Sequence, residues 1–232
     1  MSSGLYGISS MATRLILGEL ALRYQATSGI PVEMKSMGGV DAARLVREGE
    51  AADIVVLASN VMAQLEAEGR ILPGSIRPFA RSGMAIAVAA GAPWPDIGDE
   101  AAVRRAVGAA GRVGYSTGPS GDHLLQLVER WGLGDAKSER LVKAPPGVPV
   151  ALLVARGDAD LGFQQLSELI DAPGIEVVGP LPPEIQATTI FAAGVCSASP
   201  RPAEAAHLIA YLTSPAADEV VRSQGMEPAS AA

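Results

Sequence analysis

Arg112-Val113-Gly114-Tyr115-Ser116-Thr117-Gly118-Pro119-Ser120-Gly121-Asp122 is the stretch that decides the fold. Residues 112–115 read as a short buried strand. The strand stops at a loop of hydroxyls, glycine and proline, and a helix over 122–131 follows at once. The same junction recurs on both sides of it. A strand at 5–8 runs into Ser9-Ser10-Met11 and a helix over 12–27, whose Leu15, Leu20, Leu22 and Tyr24 are expected to face a core. Strands at 30–35 and 53–57 lead to helices at 41–48 and 62–68. Further strands are expected at 84–90, 160–164, 175–178 and 185–192, with helices at 100–109, 148–156, 203–212 and 216–224. Strands alternating with helices define an α/β chain with mixed, mostly parallel sheets and helices on both faces. Where strand ends meet helix starts, helix N-termini with free N–H groups collect at the carboxyl edge of the strands and attract anions.

Composition narrows the function. With 232 residues, 48% of them hydrophobic, the chain can bury a substantial core. The net charge of -7 and the lack of a basic run argue against nucleic acid or an anionic membrane as partner. No apolar run approaches the roughly 20 residues of a membrane span. The single cysteine, Cys196, rules out an internal disulfide or a cysteine-based metal site and reads as a buried thiol. His123 and His207 stand without a carboxylate cluster, so no metal and no cofactor is expected. The start of the chain shows no basic and apolar leader, which reads as cytoplasmic, or as periplasmic if an export signal once preceded it. Phosphate loops, nucleophile elbows and dinucleotide fingerprints are missing from the sequence.

Three segments together carry a family likeness: Ser9-Ser10-Met11, Gly49-Glu50-Ala51-Ala52-Asp53-Ile54-Val55-Val56 and Gly157-Asp158-Ala159-Asp160-Leu161-Gly162-Phe163. They resemble the periplasmic molybdate-binding proteins of ABC transporters. The resemblance implies a two-lobed type II solute-binding fold with a ligand cleft between the lobes. The chain would cross near Phe79 and Phe191, so that 1–79 with 191–232 form one lobe and 80–190 the other. It also implies anion contacts from Ser10, from Ser120, from the N–H of Val148, and from Gln165 in place of a tyrosine. Gly38-Gly39-Val40 stands where that family has a serine run, which speaks against molybdate. A more particular set, Gly114–Gly121, Ala144–Val150 and 162–169, resembles a subgroup that includes aconitate isomerase.

The residues themselves leave alternatives open. Ser9 and Ser10 are ligand hydroxyls or a helix N-cap. Gly38 and Gly39 supply a turn with positive φ or room for a ligand. Arg81-Ser82 offers a planar fork for a carboxylate, or a solvated arginine. Ser116, Thr117, Ser120 and Gly121 form a loop expected to touch ligand. His123 is a candidate catalytic residue or packs on the sheet, and His207 packs in the last helix. Gln164 and Gln165, neutral amides at a strand end, are expected to line a cleft. The resemblance implies two functions between which these residues do not choose: an isomerase that moves an allylic proton of an unsaturated tricarboxylate, or the solute-binding subunit that hands a small anion to an ABC permease.

Overall fold

A computed structural model describes residues 4–134 and 138–229. The chain divides into two compact units, Met1–Ser82 with Thr189–Ala232, and Gly83–Thr188.

In the first unit β1 (Leu5–Ser10) lies between β2 (Val32–Met37) and β3 (Ile54–Ala58), parallel to both. The C-terminal part of β9 (Thr188–Val195) pairs antiparallel with β3. The first part of β4 (Arg77–Ala89) pairs antiparallel with β10 (Glu227–Pro228). β3 is buried along its whole length, as a run of Ile, Val, Val, Leu and Ala in a sheet covered on both faces should be. Its alternate residues serve two cores. Ile54 and Val56 meet Ile16, Leu20 and Tyr24 of α1 (Arg14–Ser28) and Leu208 and Ile209 of the helix Pro202–Leu212. Val55 and Leu57 meet Ala42 and Val46 of α2 (Gly39–Arg47) and Met62 and Leu65 of α3 (Ser59–Ala67). β2 ends the strand order, and its exposed Glu33 and Lys35 put charge on that edge strand.

Asp53, just ahead of β3, is 2% exposed and fully partnered. It accepts from Tyr6 N at 2.9 Å and from Ser199 Oγ at 2.6 Å, and pairs with Arg201 at 3.1 Å. This knot ties the start of β1 to the chain returning after β9.

In the second unit β5 (Val113–Tyr115) lies parallel to β6 (Leu141–Lys143) and to β7 (Leu161–Gln165). The second part of β4 runs antiparallel to β7 on one side and to β8 (Ile175–Pro180) on the other. Met84, Ile86 and Val88 of β4 face a core with α4 (Glu100–Ala109) and α5 (Pro119–Arg130). Ala85 and Ala87 face the opposite core, with Ala151 of α6 (Val150–Ala155) and Leu169 of α7 (Leu166–Leu169).

Small residues let α6 lie close on the sheet. Gly114 and Gly162 are register partners across β5 and β7. A Cβ on Gly162 would stand 2.6 Å from Val154 Cγ2 and 3.0 Å from Val150 Cγ1, and one on Gly114 3.2 Å from Val150 Cγ1. The side chain of Val150 therefore occupies the space that two missing methyl groups leave.

Several sequence expectations are corrected. Leu15 and Leu22 are 40% and 70% exposed, because the apolar stripe of α1 runs through Ile16, Leu17, Leu20, Ala21 and Tyr24. β4 starts at Arg77, well before the expected 84, since its Ala80 and Arg81 pair with β10. The strand expected over 185–192 begins at Thr188, after a 3-10 turn at Pro183–Ile185.

Gly162→Ala should lower the urea-unfolding free energy by about 1–3 kcal/mol through overpacking against α6. Gly39→Ala, whose Cβ would meet nothing within 4 Å, should leave stability unchanged or raise it by up to about 1 kcal/mol.

Candidate functional site

In each unit most of the chosen residues lie at the carboxyl ends of its parallel strands, whereas Arg81 and Ser82 lie within β4 and His123 within α5; the two units are described separately. In the first unit β1 ends on Ser9 and Ser10, opposite Ser36 and Met37 of β2. Ser9 is fully buried, and its Oγ lies 2.8 Å from Ser36 Oγ and donates to Ser10 O at 3.3 Å. Its hydroxyl thus ties two strand ends together. Ser10 precedes the 3-10 turn Met11–Thr13 but makes no side-chain cap, so the N-cap alternative is not what the hydroxyl does. Its Oγ lies 3.5 Å from Thr13 Oγ1, and Met11 beside it is half-buried.

Gly38 has φ -54° and stands at the N-cap of α2, and neither it nor Gly39 has positive φ. The turn reading of this pair is overturned. The first helical bond of α2 runs from Ala42 N to Gly38 O, so the N–H groups of Gly39, Val40 and Asp41 precede the hydrogen-bonded ladder. Arg81 and Ser82 also belong to this unit. Ser82 is buried. The half-buried Arg81 reaches Ala229 O at 3.5 Å through Nη2 and makes no ion pair among the described residues.

In the second unit the loop after β5 folds back tightly. Ser116 Oγ accepts from Gly118 N at 3.3 Å and lies 3.0 Å from Ser120 Oγ. A Cβ on Gly121 would fall 1.9 Å from Ser116 O, so only glycine admits this approach. Pro119 opens α5 at a position that needs no N–H donor. Ser116 and Thr117 are half-buried and Ser120 is buried beside the positive end of a 12-residue helix.

The loop between β6 and α6 differs from expectation. Val148 N donates to Pro145 O at 3.0 Å, closing a turn in which Gly147 has φ +76°. Its N–H is therefore committed, and α6 begins two residues later. Gln164, 3% exposed, uses both ends of its amide: Oε1 accepts from Val150 N at 3.0 Å, and Nε2 donates to Glu168 Oε2 at 2.6 Å. Gln165 is equally buried and lies opposite Met84 of β4. His123 is held by a backbone carbonyl, with Nε2 2.8 Å from Ile185 O. A ring fixed so needs its Nε2 proton for the fold.

Sequence reasoning passed over Ser36, Thr13 and above all Glu168. Glu168 lies on the short helix that follows β7, and its nearness to the two chosen glutamines was the available signal. Burial pushes its carboxyl up to about 7, and the Gln164 hydrogen bond only partly offsets this. A separate groove of about 330 Å³, lined by Ser75, Arg77, Val195, Ile209 and Thr213, touches none of the residues chosen from sequence.

Comparison with known proteins places these features in a family. The family of bacterial extracellular solute-binding proteins matches residues 5–227, and the chain belongs to it. An aconitate isomerase of a Pseudomonas species is 34% identical over 216 residues, which cover 90% of this chain and 82% of that protein. Among solved structures, the periplasmic molybdate-binding protein of Azotobacter vinelandii superposes with a TM-score of 0.80 at 20% identity, covering 96% of this chain and 98% of that one. The sulfate-binding protein SubI of Mycobacterium tuberculosis gives 0.80 at 16% identity, covering 99% of this chain and 88% of that one. Those two likenesses establish the fold. Among the described residues no helix is long and apolar enough to cross a membrane.

The raised carboxyl makes a prediction about stability. Between 4.5, the ordinary value, and about 7 the folded chain keeps a proton on Glu168 that the unfolded chain has released. Through this group stability falls as pH rises across that window. Glu168→Gln should remove that dependence, shrinking the loss of unfolding free energy between pH 5 and pH 8 by up to about 3 kcal/mol.

Proposed function

We propose that this chain is an isomerase that shifts an allylic proton of an unsaturated tricarboxylate, with aconitate as substrate. The observation that carries the reading is the 34% identity to an aconitate isomerase over 90% of this chain. The site residues suit it. The loop Ser116–Gly121 offers hydroxyls beside the N-terminus of α5, which favours a carboxylate and the enolate-like charge that forms when the proton leaves. Arg81, with no acidic partner among the described residues, is suited to pair with a carboxylate through its planar fork. Ser9, Ser10, Met11, Gly38, Gly39, Gln164 and Gln165 remain proposed ligand-site residues, Ser9 and Gln164 as supports whose polar atoms hold neighbouring groups in place.

The reaction is balanced without a co-reactant. A C–H bond of the allylic methylene breaks and its electron pair becomes the new double bond. The old double bond supplies the pair that takes a proton at the far allylic carbon, so composition is unchanged. One group must take the proton and deliver one back.

The family and its molybdate- and sulfate-binding neighbours favour a second reading, in which the chain is the periplasmic subunit that passes a small anion to an ABC permease. The importer reading requires an exported chain.

With trans-aconitate in deuterated water, proton magnetic resonance should show enzyme-dependent deuterium uptake and cis-aconitate. Micromolar calorimetric binding of molybdate or sulfate with no response to aconitate would favour the importer reading instead. Thr117→Val and Ser120→Ala should each weaken aconitate binding or turnover roughly ten- to a hundredfold, the loss of one hydrogen bond to a charged ligand, about 1.5–3 kcal/mol. Thr117→Val, near in shape, should leave the melting temperature almost unmoved.

A further inference from the structure

We infer that Glu168 is the base that takes the allylic proton and returns it, an assignment that rests on the isomerase reading. Its place follows from the strand register. β5 and β7 are parallel with Tyr115 opposite Phe163, so the hydroxyl loop after β5 and the turn Leu166–Leu169 after β7 leave the sheet at one edge. Glu168 is on that turn. Gln164 fixes one carboxyl oxygen by its 2.6 Å hydrogen bond, and Gln164 is itself fixed by Val150 N. Glu168 Oε1 has no partner among the described residues and is the atom left to accept a proton. Ser167 beside it is buried, and its Oγ also lacks a partner among the described residues.

Other titratable groups on this edge suit the task less well. His123 spends its Nε2 proton on Ile185 O. Asp122 is exposed at the surface of α5 and would abstract a proton only against bulk water. Glu168 makes no ion pair among the described residues that would hold its charge, and no charged neighbour contributes to its raised titration, which reflects burial offset by Gln164. A base that titrates near the working pH is poised both to accept the proton and to give it back. In the step, Glu168 Oε1 forms an O–H bond as the methylene C–H breaks and the double bond shifts. The same O–H then breaks as C–H forms at the far allylic carbon, which restores the carboxylate.

The test compares wild type, Glu168→Gln and Glu168→Asp, each as the full chain, with trans-aconitate in deuterated water. The expected result is that Glu168→Gln loses a factor of about 10²–10⁴ in kcat, binds aconitate with a Kd within about threefold of wild type by calorimetry, and melts no lower at pH 8, while Glu168→Asp recovers part of the rate. If wild type and Glu168→Gln turn over alike, the assignment falls and the isomerase reading stands. If wild type neither exchanges nor isomerises, both fall together. Should Glu168→Gln fail to fold, the pH profile of the wild type decides. A single loss of rate on the acid side near pH 7 supports the assignment, and a flat profile from pH 5 to 9 overturns it.

Discussion

The contact of Val150 with two glycines holds the second unit's edge in its working form. Gly114 and Gly162 face each other across parallel strands, and their missing side chains admit Val150 and Val154 to the sheet surface. Because α6 sits so low, Val150 N lies 3.0 Å from Gln164 Oε1. That bond fixes which way the Gln164 amide points and turns its NH₂ towards Glu168. A larger residue at either glycine would lift the helix, free the amide and leave the carboxylate without its only partner among the described residues. The chain of cause runs from backbone sterics through packing to the placement of a titratable oxygen.

The first unit depends on a different device. A carboxylate as buried as Asp53 survives only because a backbone N–H, a serine hydroxyl and Arg201 all point at it. These partners come from β1 and from the segment after β9, so a single residue closes the unit across nearly the whole length of the chain. Cys196, whose backbone N donates to Asp53 O, feels the same environment. Burial first, and the Asp53 charge second, push its thiol up to about 12, which leaves it unreactive at neutral pH.

Much of this was legible in the sequence because the signals were local. Apolar runs ending in hydroxyls and glycines, followed by helical stretches, gave the order of elements and the edge on which the loops lie. The misses have non-local causes. Nothing near Leu22 says which of two apolar stripes of α1 meets the sheet. The start of β4 was missed because β10 supplies the pairing of Ala80 and Arg81 from the far end of the chain. Val148 looked like a helix start because the turn that captures its N–H depends on the left-handed backbone of Gly147. Glu168 escaped notice because its distinction lies in desolvation by segments distant in sequence, whereas the glutamines beside it stood out by residue type alone.

Glu168 also bears on how one fold can serve both capture and chemistry. A site that only holds an anion gains from hydroxyls, N–H groups and a helix N-terminus, and a carboxylate on the same edge would repel the ligand. A carboxyl group that keeps its proton to about pH 7 avoids much of that repulsion while the ligand enters, and it becomes a base once the proton has gone. An anion receptor has no use for such a group and would be expected to replace it with a neutral donor. An isomerase needs it, because the substrate's own charges do not suffice to move a carbon-bound proton. The burial that raises the titration of Glu168 costs stability as pH rises, and the amide clamp that orients it offsets only part of that loss, a burden that accounts for itself only where the proton is put to use.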